Sequence, residues 1–175
     1  RFSRDPRDAE NAFIAFAIPF GWVASEEQRA RGLNISISDI PRIPPQSVDP
    51  TVKNYQRLDF IAGLYGAYDN DAENVILVDL DGNISEGPGF NLFVVKEGRA
   101  TTPASGVLEG ITRMTAIELC GELNVEASLG VVSVEMARGA DEIFITSTAG
   151  GIMPVSRIDG IAVGDGAVGP VTQRL

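Results

Sequence analysis

Tight-turn dipeptides most limit the folds open to this chain. Asp81-Gly82, Glu97-Gly98 and Asp159-Gly160 each follow or divide runs of apolar and β-branched residues. Such turns fold a chain back on itself as antiparallel neighbours. Residues 73–79 and 83–85 flank the first turn, 91–95 and 100–102 the second, and 152–158 lead into the third. Asp141–Thr146 reads as a further strand. Residues 33–38 alternate with period two, as a half-buried strand does. Residues 12–19, apolar with aromatics, read as a buried strand. Two longer helices interrupt this pattern. From Lys53 to about Asp69 the apolar residues fall at 58, 60, 61, 64, 65 and 67, which suits one buried helix face. Thr112–Leu123 sets Met114, Ile117, Cys120 and Leu123 along one side. Ser133–Arg138 is a short helix, and Pro170 opens another. Four prolines stiffen 41–50. Strands with interspersed helices and hairpin turns predict a mixed α/β (α+β) domain. Its sheet is expected to be largely antiparallel or mixed, not doubly wound. The first residue is not methionine and the last residues read as a helix just starting, so a segment of a longer protein is expected.

Composition narrows the chemistry. The 175 residues are 44% hydrophobic, enough for a sizeable core, and carry a formal charge of −10. That charge argues against a nucleic-acid or anionic-membrane surface. Without histidine, mechanisms that need an imidazole base or ligand are excluded within the chain. The one cysteine, Cys120, allows no internal disulfide and no cysteine-based metal site, and reads as a small core residue. No metal site is expected. The apolar run Ala12–Ala24 contains Pro19 and Gly21 and is too short to span a bilayer. With no signal or transit segment, a cytoplasmic protein is the default.

Four places can carry chemistry. Lys53 is one of two lysines. Lys96 sits at a charged hairpin tip, whereas Lys53 stands at the entry to an apolar helical stretch. Desolvated there, it is an amine nucleophile; solvated, it is an ordinary helix-start lysine. Glu86 ends a strand before Gly87-Pro88-Gly89. It is either a surface carboxylate before a turn or a partner for a cationic ring nitrogen. Gly110-Ile111-Thr112 leads into a helix whose free N–H groups can take a phosphate, or which Thr112 simply caps. Thr146-Ser147-Thr148-Ala149-Gly150-Gly151 is a polar turn or an anion cradle. An amine, a carboxylate and two anion nests together fit pyridoxal 5′-phosphate (PLP), which needs all three.

These motifs, in this order, resemble the class IV (fold type IV) PLP-dependent aminotransferases. The resemblance is carried by Asp49-Pro50-Thr51-Val52-Lys53-Asn54, Ser85-Glu86-Gly87, Gly110-Ile111-Thr112-Arg113, residues 140–144, Thr148-Ala149-Gly150-Gly151 and Gly169-Pro170-Val171-Thr172. It implies the large domain of the D-amino-acid aminotransferase-like fold, a mixed β pseudo-barrel with surrounding helices. Residues 1–50 would hold the end of an interdomain segment and the first strands. Residues 51–175 would form the PLP-binding large domain, and a smaller N-terminal domain would be absent from this chain. It further implies that Lys53 forms the internal aldimine and shuttles the proton, that Glu86 pairs with the ring nitrogen, and that Ile111, Thr112 and Thr148 hold the phosphate. Arg4, Arg57 and Ala149 would touch substrate. The runs after Lys53 and after Thr148 are more similar to (R)-selective amine transaminases, with Arg57 where an aromatic residue often stands. The expected activity is therefore amino transfer from an amine or amino acid to an α-keto acid, of (R)-amine:pyruvate type, by a homodimer. Branched-chain or D-amino-acid aminotransferases, an aminodeoxychorismate-lyase-like enzyme and a non-catalytic PLP-binding fragment are the alternatives.

Overall fold

The computed structural model describes residues 3–175, so the first two positions of the expected 1–50 segment lie outside the described residues. Eight strands form one mixed sheet: β1 Leu33–Pro41, β2 Asn74–Val78, β3 Asn91–Lys96, β4 Arg99–Pro103, β5 Ala127–Gly130, β6 Glu142–Ser147, β7 Gly151–Ile158 and β8 Ile161–Ala162. Their order is β2-β1-β7-β6-β3-β4-β5, with β8 beside β7. β1 runs parallel to both β2 and β7, and β4 parallel to β5; the other pairs are antiparallel. The helices are α1 Glu26–Arg31, α2 Leu58–Asp69, α3 Ile111–Glu122, α4 Val134–Arg138 and α5 Pro170–Arg174. A 3-10 turn covers Pro6–Asp8.

The apolar run of β3 is buried on both faces, which explains why it does not alternate. Leu92 and Val94 join one core with Ile35, Ile76, Ile145 and Val155. Phe93 and Val95 face the other, where Phe93 stacks on Phe144 at 4.7 Å and α3 contributes Ala116 and Cys120. Cys120 is the core residue its sequence setting suggested, and burial raises its thiol pKa. The third cluster seats Phe60 and Ala67 of α2 on Val75 and Leu77 of β2.

Residues 83–86 stitch the two ends of the sheet together. On one side, Ser85 N–H donates to the Leu77 carbonyl (2.9 Å), and Leu77 N–H donates to the Glu86 carbonyl (3.1 Å). On the other, Ile84 N–H donates to the Val132 carbonyl, just past β5 (2.8 Å). This gives the curled arrangement expected, although 83–85 appears as isolated bridges rather than a strand.

Two expectations need correction. Residues 12–19 form no strand: Phe13 is 94% exposed, and Ile14, Phe16 and Ile18 are also exposed. Apolar content alone does not supply a neighbour to pair with. The chain meets the rest of the fold just after this stretch, where the Val23 N–H donates to the Ala149 carbonyl in the β6–β7 turn (2.9 Å) and Ala24 is buried in the core. The second correction concerns α2, which begins at Leu58 and not at Lys53. Upstream, local bonds compete with the helix. Asp49 accepts from the Thr51 N–H and hydroxyl, and Asn54 bonds both the Val52 carbonyl and the Gln56 N–H. Lys96 matches its reading, with an exposed ammonium paired to Asp141 at 2.8 Å. The short elements α1, β5 and β8 were not read from the sequence. No helix among the described residues is long and apolar enough to cross a membrane.

Candidate active site

A cleft of about 410 Å³ opens where the 49–57 loop, the end of the 83–86 stitch, the start of α3 and the end of β6 converge. It is lined by Lys53, Glu86, Ile111, Thr112 and Thr148, residues far apart in sequence. Arg57 also lines it; Ala149 and Arg4 do not. Arg4 lies in the exposed N-terminal stretch.

Lys53 sits on the loop and is exposed. The chain's own packing therefore does not desolvate it. Its position comes from the turns around Asp49 and Asn54, which hold the loop at the cleft mouth.

Glu86 is buried, with 6% of its surface exposed. The stitched backbone sets its height, and its two oxygens have separate partners. One accepts from the Leu108 N–H at 2.9 Å, the other from Arg42 Nε at 3.2 Å. Arg42 also donates to Asp59 at 2.6 Å, and its guanidinium lies 4.2 Å over the Phe60 ring. Burial pushes the Glu86 carboxyl above its ordinary range, against the lowering pull of the Leu108 N–H and Arg42. Burial acts the same way on Asp59. There the Ile43 N–H, Arg42 and the Phe60 N–H win, and the carboxyl falls below its ordinary range.

Just past Leu108, α3 begins on Gly110, with no side chain capping its first turn. Its first N–H groups lack helical partners by construction. Thr112 is inside the helix and does not cap it. Gly110 must be glycine for packing reasons: a Cβ there would collide with Asn91 Oδ1. Asn91 itself ties the approach by donating to the Leu108 carbonyl at 2.9 Å. Thr146, 2% exposed, lines the same cleft, and its hydroxyl is buried without a partner. Ser147, by contrast, uses its hydroxyl to accept from Ala149 N–H at 3.3 Å within the turn.

An orphaned hydroxyl beside an uncapped helix start is what an anionic group would complete, because a buried unpaired polar group is costly. A buried carboxylate at one wall and a primary amine at the mouth complete a donor set that fits pyridoxal 5′-phosphate. No cluster of metal-ligating side chains occurs among the described residues. Sequence reasoning missed Arg42 and Asp59; Thr146 opens the cradle read from the sequence and Asn91 starts a strand read there, but neither was singled out as a site residue. The available signal was an arginine inside a proline-rich connection and an aspartate inside the apolar face of α2.

The amino-transferase class IV family matches residues 2–158. The branched-chain-amino-acid aminotransferase of Escherichia coli (strain K12) is 38% identical over 167 residues, which cover 93% of this chain and 53% of that protein. The solved Escherichia coli branched-chain amino acid aminotransferase superposes with a TM-score of 0.86 at 38% identity, covering 90% of this chain and 53% of that one. A T.th. branched-chain amino acid aminotransferase, solved with pyridoxamine 5′-phosphate, gives a TM-score of 0.81 at 32% identity, covering 86% of this chain and 50% of that one. The chain spans about half the length of the curated relatives it matches.

Proposed function

The chain belongs to the amino-transferase class IV family, and on that premise we propose that it forms the cofactor-binding part of a PLP-dependent transaminase. The observation that carries this reading is the convergence of Lys53, Glu86, the α3 start and Thr146–Thr148 on one cleft. Bound there, pyridoxal 5′-phosphate supplies an aldehyde for an amine and a ring that takes up the electron pair left when a C–H bond breaks.

The residues divide the remaining work. The Lys53 Nζ is the amine that attaches the cofactor. With an amino donor in its place, the Lys53 Nζ would be free to carry a proton between the donor's Cα and the cofactor carbon on the far side of the amino nitrogen. The Glu86 carboxylate holds a proton on the ring nitrogen by stabilising the cation beside it. The first-turn N–H groups of α3 at Ile111 and Thr112, with the hydroxyls of Thr112, Thr146 and Thr148, bind the phosphate. Arg57, which lines the cleft, contacts substrate; Arg4 and Ala149, which do not line it, are left without a role.

For the donor we propose an (R)-amine with pyruvate as acceptor. Support comes from the runs 54–59 and 149–154. A second reading, a branched-chain amino acid donor, is favoured by the relatives at 38% identity. A homodimer fits the row of exposed apolar side chains Phe13, Ile14, Phe16, Ile18, Phe20 and Trp22, which offers a surface for self-association.

The test is a donor panel with the intact protein: (R)-amines, D-amino acids and L-branched amino acids, each with pyruvate and with 2-oxoglutarate. Exchange with an (R)-amine and pyruvate bears out the first reading, and exchange confined to L-branched amino acids the second. Pyruvate release from aminodeoxychorismate in a separate assay without added pyruvate, and no amino exchange in the panel, would mean a lyase. No exchange and no visible cofactor absorbance would refute both.

A further inference from the structure

The proposed role of Glu86 leaves a buried group without a task. Arg42, Asp59 and Glu86 form one ion cluster, with side-chain exposures of 9%, 6% and 8%. Arg42 comes from the segment after β1, Asp59 from the first turn of α2, and Glu86 from the stitch. Burying three charges costs several kcal/mol per ion before pairing, and apolar residues of similar volume commonly replace such clusters without loss. Stability is thus a poor account of why they are here.

We propose that Arg42 is a positioning residue that aims the Glu86 carboxylate at the cofactor ring nitrogen, with Asp59 setting how much of Arg42 is left for Glu86. The proposal rests on the reading that Glu86 faces that nitrogen.

Three observations carry it. First, the guanidinium is shared unequally. It lies 2.6 Å from Asp59 but 3.2 Å from Glu86, and Asp59 also takes the Ile43 N–H at 3.0 Å. Asp59 is therefore the anchor and Glu86 the less compensated oxygen pair. The opposite displacements of their titrations follow the same order. Second, two carboxylates meet one guanidinium, which leaves one negative charge uncompensated. A protonated ring nitrogen beside Glu86 completes that balance inside a low-dielectric wall. Third, the geometry is fixed from all sides. The Arg42 backbone N–H donates to the Val78 carbonyl at 2.7 Å, the Phe60 ring supports the guanidinium face, and the Leu108 N–H holds the far Glu86 oxygen.

The other charged groups of this wall do not replace Arg42. Lys53, Arg57 and Glu109 line the cleft itself, without an ion pair to Glu86 among the described contacts. Arg113, buried on α3, spends its guanidinium on the Thr102 hydroxyl and the Pro103 carbonyl.

The test reads Glu86 directly. Carboxyl-labelled glutamate in the intact, cofactor-free protein is titrated by carbon NMR, with Glu86→Gln identifying the resonance. Arg42→Met should raise the Glu86 midpoint by roughly 1 to 3 pH units, the usual reach of an adjacent opposite charge. Asp59→Asn should lower it, by freeing Arg42. Retention of PLP should fall roughly tenfold in Arg42→Met, the size of one charge-assisted hydrogen bond. It should fall no further when Arg42→Met is added to Glu86→Gln. A midpoint unmoved by both single variants overturns the proposal. So does an Arg42→Met loss that persists in the Glu86→Gln background, since that marks a structural role. If Arg42→Met does not fold by circular dichroism, Arg42→Gln, which also removes the charge, takes its place with the same signs. The underlying reading fails separately: a Glu86→Gln protein with wild-type PLP retention and visible spectrum removes Glu86 from the ring nitrogen, whatever the midpoints do.

Discussion

At the Glu86 wall of the cleft the protein supplies its own partners, whereas at the α3 wall it does not. Glu86 is gripped by Arg42 and the Leu108 N–H. Farther along the same lining, α3 starts without a side-chain cap and the Thr146 hydroxyl is buried alone. The difference separates two ways of preparing for a ligand. A wall whose polar groups are already paired can orient a ligand atom without waiting for it. A wall with open donors gains its hydrogen bonds only when the ligand arrives, so binding and local stability rise together.

The change with the largest expected effect leaves both walls in place and removes the amine at the cleft mouth between them. Lys53→Ala in the intact protein should lower amino transfer by roughly 10²–10⁴-fold or more, the range for losing a positioned proton carrier. It should also abolish the borohydride-trappable cofactor bond. Full turnover in that variant would falsify the assignment of Lys53. Next comes Glu86→Gln, which is expected to reduce kcat by roughly 10²-fold, within the same range, with a smaller change in KM. Steady-state kinetics checks the split.

The open wall responds differently. Thr146→Val should weaken PLP retention while leaving the cofactor-free protein as stable or more stable, by up to about 1 kcal/mol, because an unpaired buried hydroxyl is removed. Thermal melts with and without PLP separate the two effects. A cofactor-free protein that is clearly destabilised would show that Thr146 has a protein partner and that this wall is not open. Gly110→Ala pushes α3 away from Asn91, and overpacking of this kind costs about 1–3 kcal/mol. Melts of the cofactor-free protein should show that loss.

The smallest effects are in the pH dependence of the cofactor-free protein. Asp59 titrates below its ordinary 3.8 when folded, so its contribution is present above that pH and lost as pH falls through the folded value. Glu86 titrates above its ordinary 4.5, so its contribution is fully present below that pH and lost as pH rises through the folded value. Denaturant midpoints across pH should thus lose part of their acid-side slope in Asp59→Asn, the rest belonging to carboxyls such as Glu73, and should lose the fall that begins above 4.5 in Glu86→Gln.

The sequence made one wall more legible than the other, for physical reasons. Gly110-Ile111-Thr112 announces a helix start locally, and Thr148 follows a readable strand. Hairpin glycines and the period of α3 were likewise local, so β2, β3, β4, β6, β7 and α3 could be placed to within a residue or two. The Arg42–Asp59–Glu86 cluster joins positions separated by 17 and 44 residues, and only the parallel pairing of β1 with β2 brings them together. Residues 12–19 misled for the converse reason. Their apolar content reports a wish for burial, not the existence of a neighbouring edge.

The stitch at residues 83–86 has a kinetic consequence. The amides of Leu77, Ile84 and Ser85 are tied into the same hydrogen bonds that fix the Glu86 backbone. They cannot open by fraying at a sheet edge, so solvent deuterons should reach them only when the whole sheet parts. The orientation of Glu86 should therefore outlast any local breathing of the 49–57 loop, and a protein that sheds and regains its cofactor would keep the shape of that wall through each cycle.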